Sequence, residues 1–454
     1  MEGNVTEDLF SRLAPETLGD IFTHCLPAEA EPISPNTAPL LLTRVCQRWR
    51  QTCLGTPNLW QKINLGRRLG QDPLFILDLF LAQSGALPLT VTLPLPRSTS
   101  IELIEILINR ILDHFHRVLV LEGHTSRLFP YFIYKRLSSS GGSPHIYAPL
   151  LTRINVTGFD IPRELSKNDE EHLRNCIFAP NLEELHLNTS RIILSMVRFS
   201  PESLKVLGGL YIVDVAQTTD MAFLCQASNL NTLGLVIHDI YEDVVFKIPH
   251  QILLPNLKRL NILLFGDRFM GILESFLFPN IEELNIHVRG IASFPRVVEL
   301  ITKGQTPPLR SIRIASSSPD DDDDLGIRLG SFLRFKEIEE LKLHGFTLSE
   351  QNLRLFLENE NNEYQLFPRL SSILLRKITF RGSSCETIMR ILRDRSISNS
   401  KSPVYAKFHN CSFPLDDKKA LEALRGELET TNTRLKIDVV DDDAGKYAVA
   451  DKYI

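Results

Sequence analysis

Tryptophan is scarce in this chain of 454 residues: there are 2, and both fall in the stretch VCQRWRQTCLGTPNLW from Val45 to Trp60. Positive charge is not in excess. The 50 Lys and Arg face 55 Asp and Glu, a net charge of -5, which removes any bulk attraction to nucleic acid or an anionic membrane and leaves proteins as the expected partners. Apolar runs such as LLLTRV are broken far short of the roughly 18 residues that a membrane helix needs. The opening MEGNVTEDLF is acidic, with no basic region leading into an apolar core, so no secretory signal is expected. The 7 cysteines form no Cys-x-x-Cys pair and are odd in number, which points to reduced thiols, a cytoplasmic or nuclear location and no disulfide-linked partner.

Catalytic signatures are also missing. There is no Gly-rich phosphate loop, no H-E-x-x-H, no G-x-S-x-G and no paired-Cys zinc spacing, so neither an enzyme nor a cofactor or metal is expected. His114 and His116 alternate at a helix-to-strand junction and read as ordinary polar residues.

What is present is a repeat. APNLEELHL, LPNLKRLNI and FPNIEELNI share one frame, an aliphatic anchor followed by aliphatics three and five places later. The frame recurs from Leu151, Leu182, Leu204, Leu230, Leu257, Ile281, Leu309, Ile338 and Leu370, at steps of 31, 22, 26, 27, 24, 28, 29 and 32 residues. On a strand, alternate side chains face opposite sides, so the fourth and sixth positions of the frame point inward and the third, fifth and seventh outward. Stacked in parallel, such strands bury an apolar seam that each returning segment must cover. DPLFILDLFLAQSG, with Asp72 as N-cap and Pro73 at the first helical position, reads as one covering helix, and STSIELIEILINRILDHF as another with Ile101, Ile104, Ile108, Ile111 and Phe115 on one face. LPLTVTLPL, HRVLVLEG, VYAKFH and TRLKIDVV read as further strands, so the array is expected over residues 61–440. The chain is similar to leucine-rich repeat proteins there, but the ninth position, where those carry Asn or Cys, holds Phe159, Phe265 and Phe346 among others. An α/β domain with merely Leu-rich strands is the other reading. Residues 138–149 and 316–324 look like loops, and 441–454 like an acidic, flexible tail.

The first sixty residues differ. Pro15 is placed to open a helix carrying Leu18, Ile21 and Phe22, and a second helix is expected after Pro39, with Leu41, Leu42, Val45, Cys46 and Trp49 on one side and Gly55 ending it. These faces are too many to cover one another. The order L-x-P-E-x-L-x-x-I-F, V-C-x-x-W-R and P-x-L-W, matched by Leu13, Pro15, Glu16, Leu18, Ile21, Phe22, Val45, Cys46, Trp49, Arg50, Pro57, Leu59 and Trp60, resembles the F-box of fungal-type F-box-like proteins. The fold class expected is therefore α/β, an F-box helical module over residues 9–60 followed by a leucine-rich-repeat-like solenoid with a parallel sheet.

The resemblance implies a substrate-recognition subunit that docks on the Skp linker of a cullin-RING ubiquitin ligase, with an unknown substrate protein held by the repeats. Leu13, Pro15, Leu18, Ile21, Phe22, Leu41, Val45, Cys46 and Trp49 would face the linker, while Pro57, Leu59 and Trp60 would join the module to the first repeat. The alternative is a repeat scaffold with no part in ubiquitination. On the outward strand positions, Asn155, His186, Asn261, Asn285, Arg313, Lys342, His344 and Arg376 are candidates for the substrate surface, with cationic groups gathering toward the C-terminal end.

Overall fold

The computed structural model describes residues 13–27, 31–66, 72–94, 99–124, 129–139, 145–157, 173–187, 191–211, 222–237, 251–265, 270–288, 294–302, 306–316, 331–353, 356, 367–381, 384–398, 404–413 and 435–440. The chain divides into two compact units, Met1–Leu204 and Lys205–Ile454. The acidic tail, the Asp run of the 316–324 segment and Phe159 lie outside the described residues.

The first unit begins with α1 (Pro15–His24), where Pro15 occupies the first turn after an extended Ala14. Proline suits that place because its missing N–H would have no helical partner. Leu18, Gly19 and Phe22 are buried. The second helix is not the continuous one that the apolar pattern predicts. Leu42–Arg44 makes a single 3-10 turn, Cys46 is extended, and α2 (Gln47–Leu54) starts afresh with the Cys46 Sγ accepting the Trp49 backbone N–H at 3.5 Å. Gly55 ends it. The break at Cys46 means that Leu41, Leu42, Val45, Cys46 and Trp49 do not share one face: Leu42 turns inward and Leu41, Val45 and Cys46 outward.

Pro57–Trp60 forms a further 3-10 turn. It leads through β1 (Lys62–Asn64) to α3 (Pro73–Gln83), whose first turn is capped by Asp72 accepting the Phe75 N–H at 3.0 Å. Trp60 is fully buried; its ring meets Phe80 of α3 edge-on at 5.0 Å, and its indole N–H donates to the Cys53 carbonyl at 2.8 Å. After β2 (Leu89–Pro94) comes α4 (Ile101–Asp113), capped by Ser100. Ile104, Leu107, Ile108, Ile111 and Leu112 of α4 are buried, but Ile101, in its first turn, is exposed. Phe115 lies beyond the helix in a 3-10 turn and is buried. Nearby, the buried Arg117 guanidinium donates to the Leu81 and Leu87 carbonyls and to Ser84 Oγ, so it satisfies the end of α3.

The main sheet of the first unit is parallel, with β1 followed by β2, β3 (Val118–His124), β5 (Arg153–Thr157) and β7 (Glu184–His186). Ile63, Val91, Leu121, Ile154 and Leu185 pair in register and are all buried. A smaller parallel sheet joins β4 (Ile146–Tyr147), β6 (Ile177–Phe178) and β8 (Val197–Arg198). The 138–149 stretch is therefore not only a loop. It carries β4, paired through Ile146 N–H to the Cys176 carbonyl, and the Phe129–Ser139 helix reaches into its start.

In the second unit the parallel order is β9 (Val206–Tyr211), β10 (Thr232–Ile237), β12 (Arg259–Leu264), β14 (Glu283–Val288), β15 (Ser311–Ser316), β16 (Glu340–His344), β18 (Ser372–Arg376), β20 (Val404–His409) and β21 (Leu435–Val440). Short pairs β11 (Ile252–Leu253) with β13 (Phe276–Leu277), and β17 (Thr347–Leu348) with β19 (Thr379–Phe380), run beside it. Leu233, Leu260, Leu284, Ile312, Leu341 and Ile373 stand in one register row, each at most 2% exposed. This is a leucine-rich-repeat-like array of parallel strands.

One frame is bent. In LKVLGG the sixth position is Gly209, and a bulge against β10 carries Leu210 rather than Gly209 opposite Leu235. Gly209 sits at φ 71, a left-handed conformation that favours glycine.

The asparagine ladder absent from the ninth position is present elsewhere. Asn181, Asn256 and Asn280, each immediately before its anchor, donate side-chain N–H to the Pro149, Ser228 and Pro255 carbonyls of the preceding repeat at 2.8, 2.7 and 2.7 Å. Beneath them a backbone rung recurs, for example Lys258 and Arg259 N–H both bonding to the Asn231 carbonyl, and Glu282 and Glu283 N–H to that of Lys258. Turn groups that would otherwise face desolvation unpaired are satisfied between repeats rather than within them.

Candidate interaction surfaces

The residues expected to face a partner at the N-terminus separate into two sets. Leu18 and Phe22 are fully buried in the module, so they support its surface from behind and form no part of it. Trp49 is half-buried, its ring 4.9 Å from that of Phe22. Leu13 is half-buried too, and its carbonyl accepts from the Arg48 guanidinium. Outward stand Pro15, Cys46, Ile21 at 38% exposure, Leu41 at 44% and Val45 at 55%. Exposing three large aliphatics in so small a module forgoes the gain of roughly 25 cal/mol per Å² that burial supplies. At the other end of the module, Leu59 and Trp60 are buried and Pro57 is exposed. The exposed Cys46 and Cys25 contrast with Cys53 and Cys176, whose thiols burial pushes up to about 12 and so keeps inert.

The outward face of the strands holds the other set. In the first unit Asn155 and His186 are register partners, with Glu122 on the far side of Asn155. Arg153 and Glu184 form a bidentate pair beside them at 2.6 and 3.0 Å. His186 is held below the ordinary imidazole range by burial and by Arg153, against the opposing pull of Glu184.

In the second unit the fifth-position row runs Asn261, Asn285, Arg313, Lys342, Leu374, Lys407 across successive strands. Next to it the seventh-position row runs His287, Ala315, His344, Arg376, His409. All of these but the buried Ala315 are half-buried. Asn285 donates to Asn261 Oδ1 at 2.6 Å. A shallow pocket at this end is lined by Asn261, Asn285, His287, Arg313 and Ala315, over Ile262 and Ile286. His287 lies below the usual imidazole range through burial and the Arg313 charge, and its Nδ1 is buried with no hydrogen-bond partner among the described residues. Carboxylates occupy the third-position row: Glu283 pairs with Arg259 at 2.5 Å, and Glu340 accepts from Ser311 Oγ and Lys342 at 2.7 and 2.8 Å. That row also holds Arg259, Ser311 and Ser372, so its two carboxylates lie among their own partners.

No family model matches the chain, and no curated protein matches it. Among solved structures, an internalin (inlF) from Listeria monocytogenes is similar over 74% of this chain and 89% of its own, at 11% identity and a TM-score of 0.23. So low a score carries no argument.

The sequence reading missed His287, Lys407 and His409. His287 sits at the seventh position of the frame from Ile281 and was within reach of the same counting. Lys407 and His409 lie on VYAKFH, which has Pro403 where the other frames have an aliphatic anchor, so only the pairing of Tyr405 with Ser372 sets their row. Among the described residues no group of three His, Cys, Asp or Glu could hold a metal ion, and no helix is long and apolar enough to cross a membrane.

Proposed function

We propose that this chain is the substrate-recognition subunit of a Skp-cullin-RING ubiquitin ligase, with the helical N-terminus docking on the Skp linker and the repeats holding the substrate protein. The observation that carries the reading is the outward placement of Ile21, Leu41 and Val45 around a filled core of Leu18, Phe22 and Leu42, in a segment whose three motif blocks resemble the F-box in order. A folded module that keeps aliphatics in water at its motif positions is built to lose that exposure to another protein. In this reading the chain has no catalytic residue and needs no cofactor; ubiquitin transfer belongs to the ligase, in the cytoplasm or nucleus.

Pull-down of the full chain with the purified linker tests it. Stoichiometric capture is expected, and loss of capture on replacing Leu41 and Val45 would place the contact on this face. A chain that captures other proteins but no linker favours the second reading, a repeat-based interaction scaffold outside ubiquitination, which the stacked outward rows would serve equally well.

A further inference from the structure

We propose that the open sheet face of the second unit, along Arg313, Lys342, Arg376 and Lys407, is a docking strip for an acidic segment of the substrate protein. The inference rests on the reading of the repeats as the part that holds the substrate, and it names the chemistry of what they hold. Three observations lead to it.

Cations gather in two rows of this face. Third-position carboxylates are engaged by their own neighbours, Glu283 with Arg259 and Glu340 with Ser311 and Lys342. The fifth and seventh rows carry no carboxylate from β14 to β20, holding cations, imidazoles, amide and apolar groups, and the fifth row ends at Asp438 of β21, in register with Lys407. On a chain of net charge -5, a strip of one sign on one face is a local departure that would draw an acidic partner.

The cations are also spread. Arg313, Lys342, Arg376 and Lys407 stand on four consecutive strands of the sheet, and at ~4.8 Å per strand the strip extends about 14 Å. A single phosphate engages donors only within about 2.7–3.2 Å, so it would use a fraction of the strip. Several carboxylates in an extended segment would use all of it. Arg and Lys are both suited to carboxylate, and the half-buried Leu374, between Lys342 and Lys407 in the row, gives the segment's aliphatic carbons somewhere to rest.

Finally, the strip has an end. The pocket over Ile262 and Ile286 opens beside Arg313, and it is lined by His287, whose buried Nδ1 has no hydrogen-bond partner among the described residues. A buried polar atom without a bond carries a cost that an arriving polar group would remove.

The test uses the full chain and a fluorescein-labelled peptide of about ten residues alternating Glu with Ala, followed by fluorescence anisotropy. The peptide is expected to bind, more weakly as salt rises. Combined Arg313→Glu, Lys342→Glu and Arg376→Glu should weaken it by about tenfold or more, since like charges then face one another. Arg313→Gln with Lys342→Gln, which leaves less scope for misfolding, should weaken it in the same direction by a smaller factor. Arg296→Glu, on the Phe294–Ile301 helix away from this face, should change nothing.

Failure of the parent to bind, binding unchanged in both strip variants, or tighter binding of an oligothymidylate of similar charge would overturn the proposal. Linker capture is measured on the same samples. A parent that captures the linker but ignores the peptide overturns this inference alone; one that binds the peptide without capturing the linker overturns the ligase reading alone.

Discussion

Leu185 and Val45 are both aliphatics in periodic apolar patterns, yet Leu185 is fully buried and Val45 is 55% exposed. The difference lies in what surrounds each pattern. Leu185 is on a strand whose pleat allows only two faces, and its parallel neighbour repeats the choice with Ile154 opposite it. Val45 is on a short piece between a 3-10 turn and a helix that restarts at Cys46, where no neighbour repeats the pattern and the direction of the side chain follows the break. Periodicity reports burial reliably where a lattice of like elements enforces it. In the small N-terminal module the same signal falls on buried Leu18, Phe22 and Leu42 and on exposed Ile21, Leu41 and Val45 alike.

The largest effects should fall where the pattern and burial agree. Phe22→Ala should cost about 3–5 kcal/mol and Leu185→Ala about 2–5 kcal/mol of stability, measured by urea denaturation, because each leaves a cavity. His186→Ala, one residue on and facing outward, should cost far less. Equal losses at Leu185 and His186 would mean the two sheet faces are reversed.

Next comes the exposed set. Leu41→Ala with Val45→Ala should change the stability measured by urea denaturation by no more than about 0.5 kcal/mol, yet weaken linker binding by about 2 kcal/mol or more, roughly thirtyfold, in a titration calorimeter. A double variant that unfolds while its binding per folded molecule is unchanged would erase the contrast between the two regions.

Smaller still, Asn256→Ala or Asn280→Ala should each destabilise by about 1 kcal/mol through the lost bond to the preceding repeat. No change would show that the inter-repeat backbone rung suffices without the amide.

The least effect is expected from pH. His186 and His287 both have folded-state pKa values below the unfolded value of about 6.5, with burial as the main cause. The unfolded chain therefore binds the proton more readily. Their contribution to stability is complete above that unfolded value and declines as pH falls through and below it. Urea midpoints compared above and below this window should drop on the acid side, and His186→Gln with His287→Gln should flatten the drop. A midpoint that rises with acid in the parent would mean that the Glu184 attraction outweighs burial at His186.

The repeat frame was legible because it is redundant. Anchors such as Leu182, Leu257 and Ile338, and their partners three places on, are all buried as counted, and nine copies outvote any local irregularity. Caps at Asp72 and Ser100 were legible or within reach for a similar reason: a short side-chain oxygen before an apolar helix has one obvious use. The bulge at Gly209 and the exposure of Ile101 were not, since both depend on how the neighbouring elements lie. The displaced asparagine ladder was visible in the quoted repeats as P-N before the anchor; its meaning required knowing which carbonyl of the previous repeat lay opposite. Of the candidate surface, Arg313, Lys342, His344 and Arg376 came from counting, whereas Lys407 and His409 needed a strand pairing that no anchor residue announces.

By itself, then, the sequence determined the parallel strand array and its inward and outward faces, because those follow from alternation and repetition, both of which are local or additive. Only the tertiary structure decided which of the N-terminal aliphatics are core and which are surface, and that Lys407 and His409 extend the rows of cations already counted from the repeats. Both depend on register and on chain breaks, which are set by distant neighbours and leave no mark on the residues they move.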